Sequence, residues 1–146
     1  PFVLSLREYG SHKCGAGLLA SRWALTAAHC ITARVATSYS VDVYRHDIGV
    51  SAAVDHRCAE TIAVEAFHVY PQYDKVTFNG DAALLRLATP VRCSFPMLAL
   101  DDGGSSAPGT LATVAGWGSL AEGDFGYSAP SRLRYVMLPI LDSAGG

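Results

Sequence analysis

Asn79-Gly80-Asp81-Ala82-Ala83-Leu84-Leu85-Arg86-Leu87 is a short apolar run with a carboxylate at its head, and Thr89-Pro90 closes it. Working outward, similar short runs recur on both sides. Val41-Asp42-Val43-Tyr44-Arg45 and Ile62-Ala63-Val64-Glu65 alternate apolar and polar residues. Leu111-Ala112-Thr113-Val114-Ala115 is bounded by Gly109 and Gly116, and Arg132 to Leu138 begins by alternating and then turns wholly apolar. No long stretch carries a 3.6-residue apolar stripe between helix caps. Only Ala24 to Cys30 reads as a helical turn. Alternation with period two places one face of a strand on a core. Many short strands with turn residues between them predict an all-β sandwich or barrel.

The chain has 146 residues, which matches one average domain. Half of its residues are hydrophobic, 16% are charged, and the mean hydropathy is +0.22. Intrinsic disorder needs the opposite balance. The formal net charge is -2 and the isoelectric point about 6.2, so there is no basic footprint for nucleic acid. Polar residues interrupt every apolar stretch well short of the ~18 residues of a membrane span. No basic segment precedes Phe2-Val3-Leu4-Ser5-Leu6, so no signal peptide is visible. Asp101 to Gly109 is small, polar and turn-rich and reads as a linker, with only residues 110–146 beyond it. Cys14, Cys30, Cys58 and Cys93 contain no CxxC pair, which argues against a zinc ribbon or a thioredoxin-type site. Their even number fits two disulfides in a secreted protein, and it equally fits four buried thiols.

Three stretches carry chemistry. In Leu25-Thr26-Ala27-Ala28-His29-Cys30, small residues leave room for the His29 imidazole at a surface. A positioned imidazole is the usual general base near neutral pH. Asp81 opens an apolar strand, so its carboxylate lies at the rim of a core and needs a partner. An imidazole N–H is a suitable one. The pair would orient the ring and stabilise the imidazolium. In Ala115-Gly116-Trp117-Gly118 the flanking glycines allow a bend over a buried ring. Each stretch has an ordinary reading too: a histidine ending a strand, an aspartate capping a turn, a loop with one buried aromatic.

In this order the three stretches resemble the trypsin/chymotrypsin family of serine endopeptidases. Cys14-Gly15-Ala16-Gly17-Leu18-Leu19 and Trp23 are similar to the family's Cys-Gly-Gly-Ser-Leu-Ile segment and the Trp that follows it. Phe67-His68-Val69-Tyr70-Pro71-Gln72-Tyr73 resembles its His-Pro-x-Tyr stretch, and Pro1 to Leu6 its first strand. The resemblance covers almost the whole chain. It implies a chymotrypsin-like double β-barrel, with the first barrel at about residues 1–95, a linker at about 96–109 and the start of a second barrel at about 110–146. It implies that His29 is the general base and Asp81 its orienting carboxylate. It implies a Cys14–Cys30 disulfide around the histidine, which leaves Cys58 and Cys93 to pair with each other. It also implies a secreted endopeptidase that takes polypeptide substrates or protein inhibitors, binds neither nucleic acid nor membrane, needs no cofactor and is a monomer at full length.

The departures from the family pattern also carry expectations. The family's nucleophile sits in Gly-Asp-Ser-Gly-Gly-Pro, and this sequence contains no Gly-Asp-Ser. Ser143 lacks the flanking glycines and lies too near Gly118. The family's oxyanion hole and primary specificity pocket fall in the same missing part, and its mature N-terminus would precede Pro1. The chain therefore reads as an internal fragment, inactive alone. Arg45 stands where calcium-binding relatives place the first carboxylate of their loop, so no calcium is expected. His12, His46, His56 and His68 read as surface residues, and no Asn-x-Ser/Thr acceptor exists. The alternative function is a protease homologue that has lost catalysis and acts as a secreted binding module. The serine position discriminates the two.

Overall fold

Leu4, Leu6, Leu18, Val41, Val43, Leu85 and Leu87 are completely shielded from solvent and belong to one core cluster. The computed structural model describes residues 3–94, 96–102, 107–122 and 129–142. Pro1 and Phe2 of the expected first strand, part of the expected linker, and Ser143 lie outside the described residues.

The chain divides into two units, Pro1–Leu98 and Ala99–Gly146. The first unit is a closed barrel of six antiparallel strands: β1 (Val3–Glu8), β2 (Ser11–Ala20), β3 (Trp23–Thr26), β4 (Tyr39–Val43), β5 (Glu60–Val69) and β6 (Ala83–Leu87). Around the barrel the order is β1-β2-β3-β6-β5-β4, and β4 returns to pair with β1. Closure leaves no unpaired edge, which removes the usual liability of a sheet. Three register slips bend the strands, at Lys13 against β1, at Leu19 against β3 and at Glu65 against β6. Such extra residues raise local twist and let six short strands close.

In β6, Ala83, Leu85 and Leu87 point inward while Leu84 and Arg86 point out, as its alternation predicts. The expected helical turn over Ala24–Cys30 is shorter in the structure. Ala24 is buried in strand β3, and within this segment Ala28–Cys30 forms a 3₁₀ turn; a second 3₁₀ turn, Ala36–Ser38, and a short helix, Ala52–Asp55, were not expected from the sequence. The small residues that suggest a helix fit equally well where β3 packs between β2 and β6. His12 also departs from its expected surface position. The slip at Lys13 turns it toward Ser5, and Ser5 Oγ lies 2.7 Å from His12 Nδ1. His12 is half-buried, and that burial pushes its pKa down; the positive charge of Arg7 acts the same way, against the Asp42 carboxylate.

The second unit contains a two-stranded antiparallel ribbon, β7 (Leu111–Gly116) and β8 (Arg134–Pro139), registered Leu111 to Pro139 through Gly116 to Arg134. Trp117, at the bend after β7, is 2% exposed.

Candidate active site

The end of β3 lies beside the start of β6, because Thr26 pairs with Ala83 across an antiparallel ladder. Whatever follows β3 therefore meets whatever precedes β6. The 3₁₀ turn Ala28–Cys30 follows the first and Asp81 precedes the second. Thr26 anchors the turn by donating from Oγ1 to the Gly15 carbonyl at 2.8 Å.

His29 and Asp81 meet in two hydrogen bonds. Nδ1 of the imidazole lies 2.7 Å from Asp81 Oδ2, and the His29 backbone N–H donates to Oδ1 at 2.8 Å. Both carboxylate oxygens are thus engaged, which fixes the carboxylate plane and the ring together. The imidazole remains half-exposed at 51%, so it is reachable from solvent. The His29 ring bond, with the backbone N–H groups of His29 and Ala28, holds the Asp81 carboxyl below the ordinary carboxylate range against a smaller opposing effect of burial. Asp81 is therefore an anion at neutral pH. Nearby, burial and the charges of Asp81 and Asp74 push the Tyr73 phenol upward, so it stays protonated.

The loop carrying Asp81 is closed on itself. Asp74 N–H donates to the Asn79 carbonyl, Tyr70 N–H to that of Ala82, and Asp74 Oδ1 accepts from Val76 N–H. Gly80 has φ +68°, and a Cβ there would come within 2.6 Å of the Tyr70 ring. Both facts require glycine one residue before Asp81. Phe78 also has positive φ, at 58°, and its ring stands edge-on to His29 at 6.1 Å between centroids. Sequence reasoning missed Phe78 and named Tyr73 only as the end of the Phe67–Tyr73 stretch. Phe78 precedes Asn79-Gly80, a turn signal that could have drawn attention to it.

Cys14 in β2 and Cys30 at the end of the 3₁₀ turn form one disulfide, and Cys58 before β5 and Cys93 after β6 form the other. Their Cα separations are 6.3 and 5.9 Å. Among the described residues, one group of potential metal donors clusters: Cys14, His29 and Cys30. Two of its three donor atoms are bonded to each other, so it is not a free ligand set. Arg45 lies in the segment between β4 and β5. This guanidinium is buried, pairs with Asp42 at 3.2 Å and Asp55 at 3.1 Å, and donates to the carbonyls of Asp47 and Val50. His46, His56 and His68 are exposed.

The family model described as Trypsin matches residues 1–146, the entire chain. This chain belongs to the trypsin family. Among curated relatives of this trypsin-family chain, ovochymase-2 of Mus musculus is 32% identical over 97% of it, covering 23% of that protein. Serine protease filzig of Drosophila melanogaster is 32% identical over 99% of it, covering 9% of that protein. Trypsin II-P29 of Gallus gallus is 32% identical over 97% of it, covering 53% of that protein. The chain thus spans about half the length of this trypsin and far less of the two larger relatives. Membership fixes the all-β class and a serine-protease-like character. Among the described residues, no helix is long and apolar enough to cross a membrane.

Proposed function

We propose that this chain supplies the base half of a serine endopeptidase: His29 takes the proton of an attacking serine hydroxyl and returns it to the leaving amine, while Asp81 orients the ring. The carrying observation is the bidentate seating of His29 on Asp81, through Nδ1 at 2.7 Å and the backbone N–H at 2.8 Å. Holding Nδ1 on a carboxylate dedicates Nε2 to proton transfer and offsets the positive charge that forms on the ring. Two disulfides support a secreted protein, polypeptides fit as substrates, and the chemistry needs no cofactor. We also propose that the protein is a monomer with no nucleic-acid or membrane partner.

Residues 1–146 contain no Gly-Asp-Ser segment, so they supply no nucleophile of the family type. A base without a nucleophile and an oxyanion hole gives little transition-state stabilisation. The test uses an active-site serine fluorophosphonate. The 146-residue chain should not react. A longer natural chain carrying Gly-Asp-Ser-Gly-Gly should be labelled, and its His29→Ala variant should lose on the order of 10⁴-fold or more in kcat. Labelling of the 146-residue chain overturns its inactivity. Full activity in the His29→Ala variant overturns the assigned role. An unlabelled longer chain with a substituted serine favours a non-catalytic binding module.

A further inference from the structure

The two disulfides have different neighbours. Beside Cys58–Cys93, the His56 ring accepts the Cys58 backbone N–H on Nδ1 at 3.1 Å and stacks on Tyr44 at 5.1 Å. That nitrogen is committed to the backbone. Beside Cys14–Cys30, His29 has Nδ1 committed to Asp81 and Nε2 facing the bridge, 3.5 Å from Cys30 Sγ. His29 and Cys30 are neighbours in the 3₁₀ turn Ala28–Cys30. Cys30 is 2% exposed and Cys14 is partly exposed, an asymmetry that buried Cys58 and partly exposed Cys93 share.

We propose that Cys14–Cys30 is a thiol-exchange site, in which small thiols attack Cys14 and His29 receives the departing Cys30 sulfur. The attacking thiolate forms a bond to Cys14 Sγ as the Cys14–Cys30 bond breaks. Its electron pair stays on Cys30 Sγ, which leaves as a thiolate. Nε2 of His29, whose Nδ1 is held on Asp81, faces that thiolate and relays a proton to it from solvent. A second thiol then displaces Cys14 from the mixed disulfide. Overall two thiols are oxidised to one disulfide and the bridge is reduced by two electrons. Exchange is faster when the leaving thiol is the more acidic, and an adjacent imidazolium lowers a thiol pKa. Among the described residues, no imidazole nitrogen faces a sulfur of Cys58–Cys93 in this way. This proposal reads sulfur chemistry and does not depend on the protease assignment.

The oxidised 146-residue chain is exposed to limiting dithiothreitol at neutral pH, quenched with iodoacetamide and mapped by peptide mass. Cys14 and Cys30 should be alkylated on the order of tenfold faster than Cys58 and Cys93. His29→Gln should remove that preference while leaving the Cys58–Cys93 rate unchanged. Equal rates in the wild type, or a preference that survives His29→Gln, overturns the proposal. A regiochemical measurement on the wild type keeps it testable even where the variant folds poorly. A short pulse of reduced glutathione should place the adduct on Cys14, and an adduct mainly on Cys30 overturns the proposal.

Discussion

β4 and β8 are both short antiparallel strands with apolar residues at their centres, yet they end in opposite environments. Tyr39, Val41 and Val43 of β4 are at most 2% exposed, whereas Tyr135, Val136, Met137 and Leu138 of β8 are 49–77% exposed. β4 pairs with β1 on one side and β5 on the other, inside a closed ring. β8 pairs with β7 in a two-stranded ribbon. A strand's apolar pattern states what it can bury. The number of partners decides what it does bury, and a lone two-stranded ribbon buries little. The barrel also carries polar groups that closure seals in. Asp42 is 1% exposed and is held by Arg7 at 3.0 Å, Arg45 at 3.2 Å and Thr61 at 2.5 Å.

The sharpest break of this contrast is Arg45→Ala. It leaves Asp42 and Asp55 short of a buried cation, which costs about 3–5 kcal/mol. The exposed Arg134 of β8, changed to Ala, should stay within about 0.5 kcal/mol. Denaturant unfolding of the two variants measures both. Similar losses at the two positions would show that the ribbon shares the barrel's burial.

Next comes Leu87→Ala. Leu87 is fully buried, and removing its side chain should cost about 2–5 kcal/mol including the cavity. Leu138, 49% exposed, should cost well under half of that. A third comparison lies within the barrel. Gly80→Ala forces a side chain into positive φ and against Tyr70, so it should destabilise by more than about 1 kcal/mol. Because Asp81 follows directly, the same change should loosen the His29–Asp81 pair, seen as a displaced His29 ring resonance.

Much of the barrel was legible in the sequence. The alternation at Ala83–Leu87 is local, and burial on one face follows from period two, whereas at Val41–Val43 the intervening Asp42 is buried as well. His29 and Asp81 were legible through motif order, and the pairing of Thr26 with Ala83 explains why they meet. Three features were not legible, each because it depends on distant contacts. The Trp23–Thr26 strand needs β2 and β6 on either side to outweigh the helix-compatible Ala24 and Leu25. The Ser5–His12 contact needs the register slip at Lys13. Arg45 stood out only as a substitute for a calcium-loop carboxylate, and its burial needs Asp42, 3 positions earlier, and Asp55, 10 later, to fold onto it.

The smallest expected difference is the response to acid. Burial opposes ionisation of Asp55, but the backbone N–H groups of His46 and Asp47 and the Arg45 guanidinium outweigh it and hold its carboxyl below the usual 3.8. Asp81 is lowered likewise, first by its bond to the His29 ring. A carboxyl whose folded pKa is depressed contributes stability that is present above its unfolded value. That contribution is lost as pH falls through the lower folded value. The barrel's melting temperature should therefore be insensitive to these groups above about pH 5 and fall below about pH 4. Asp81→Asn should make the fall shallower without abolishing it, because Asp55 still titrates. Changing both residues to Asn should flatten it further. β7 and β8 contain no Asp or Glu, so a probe on Trp117 should add no acid-dependent step of its own. An unchanged slope in the double variant would show that other carboxyls, such as Glu8 with its bonds from Thr32 and Tyr39, dominate the acid response.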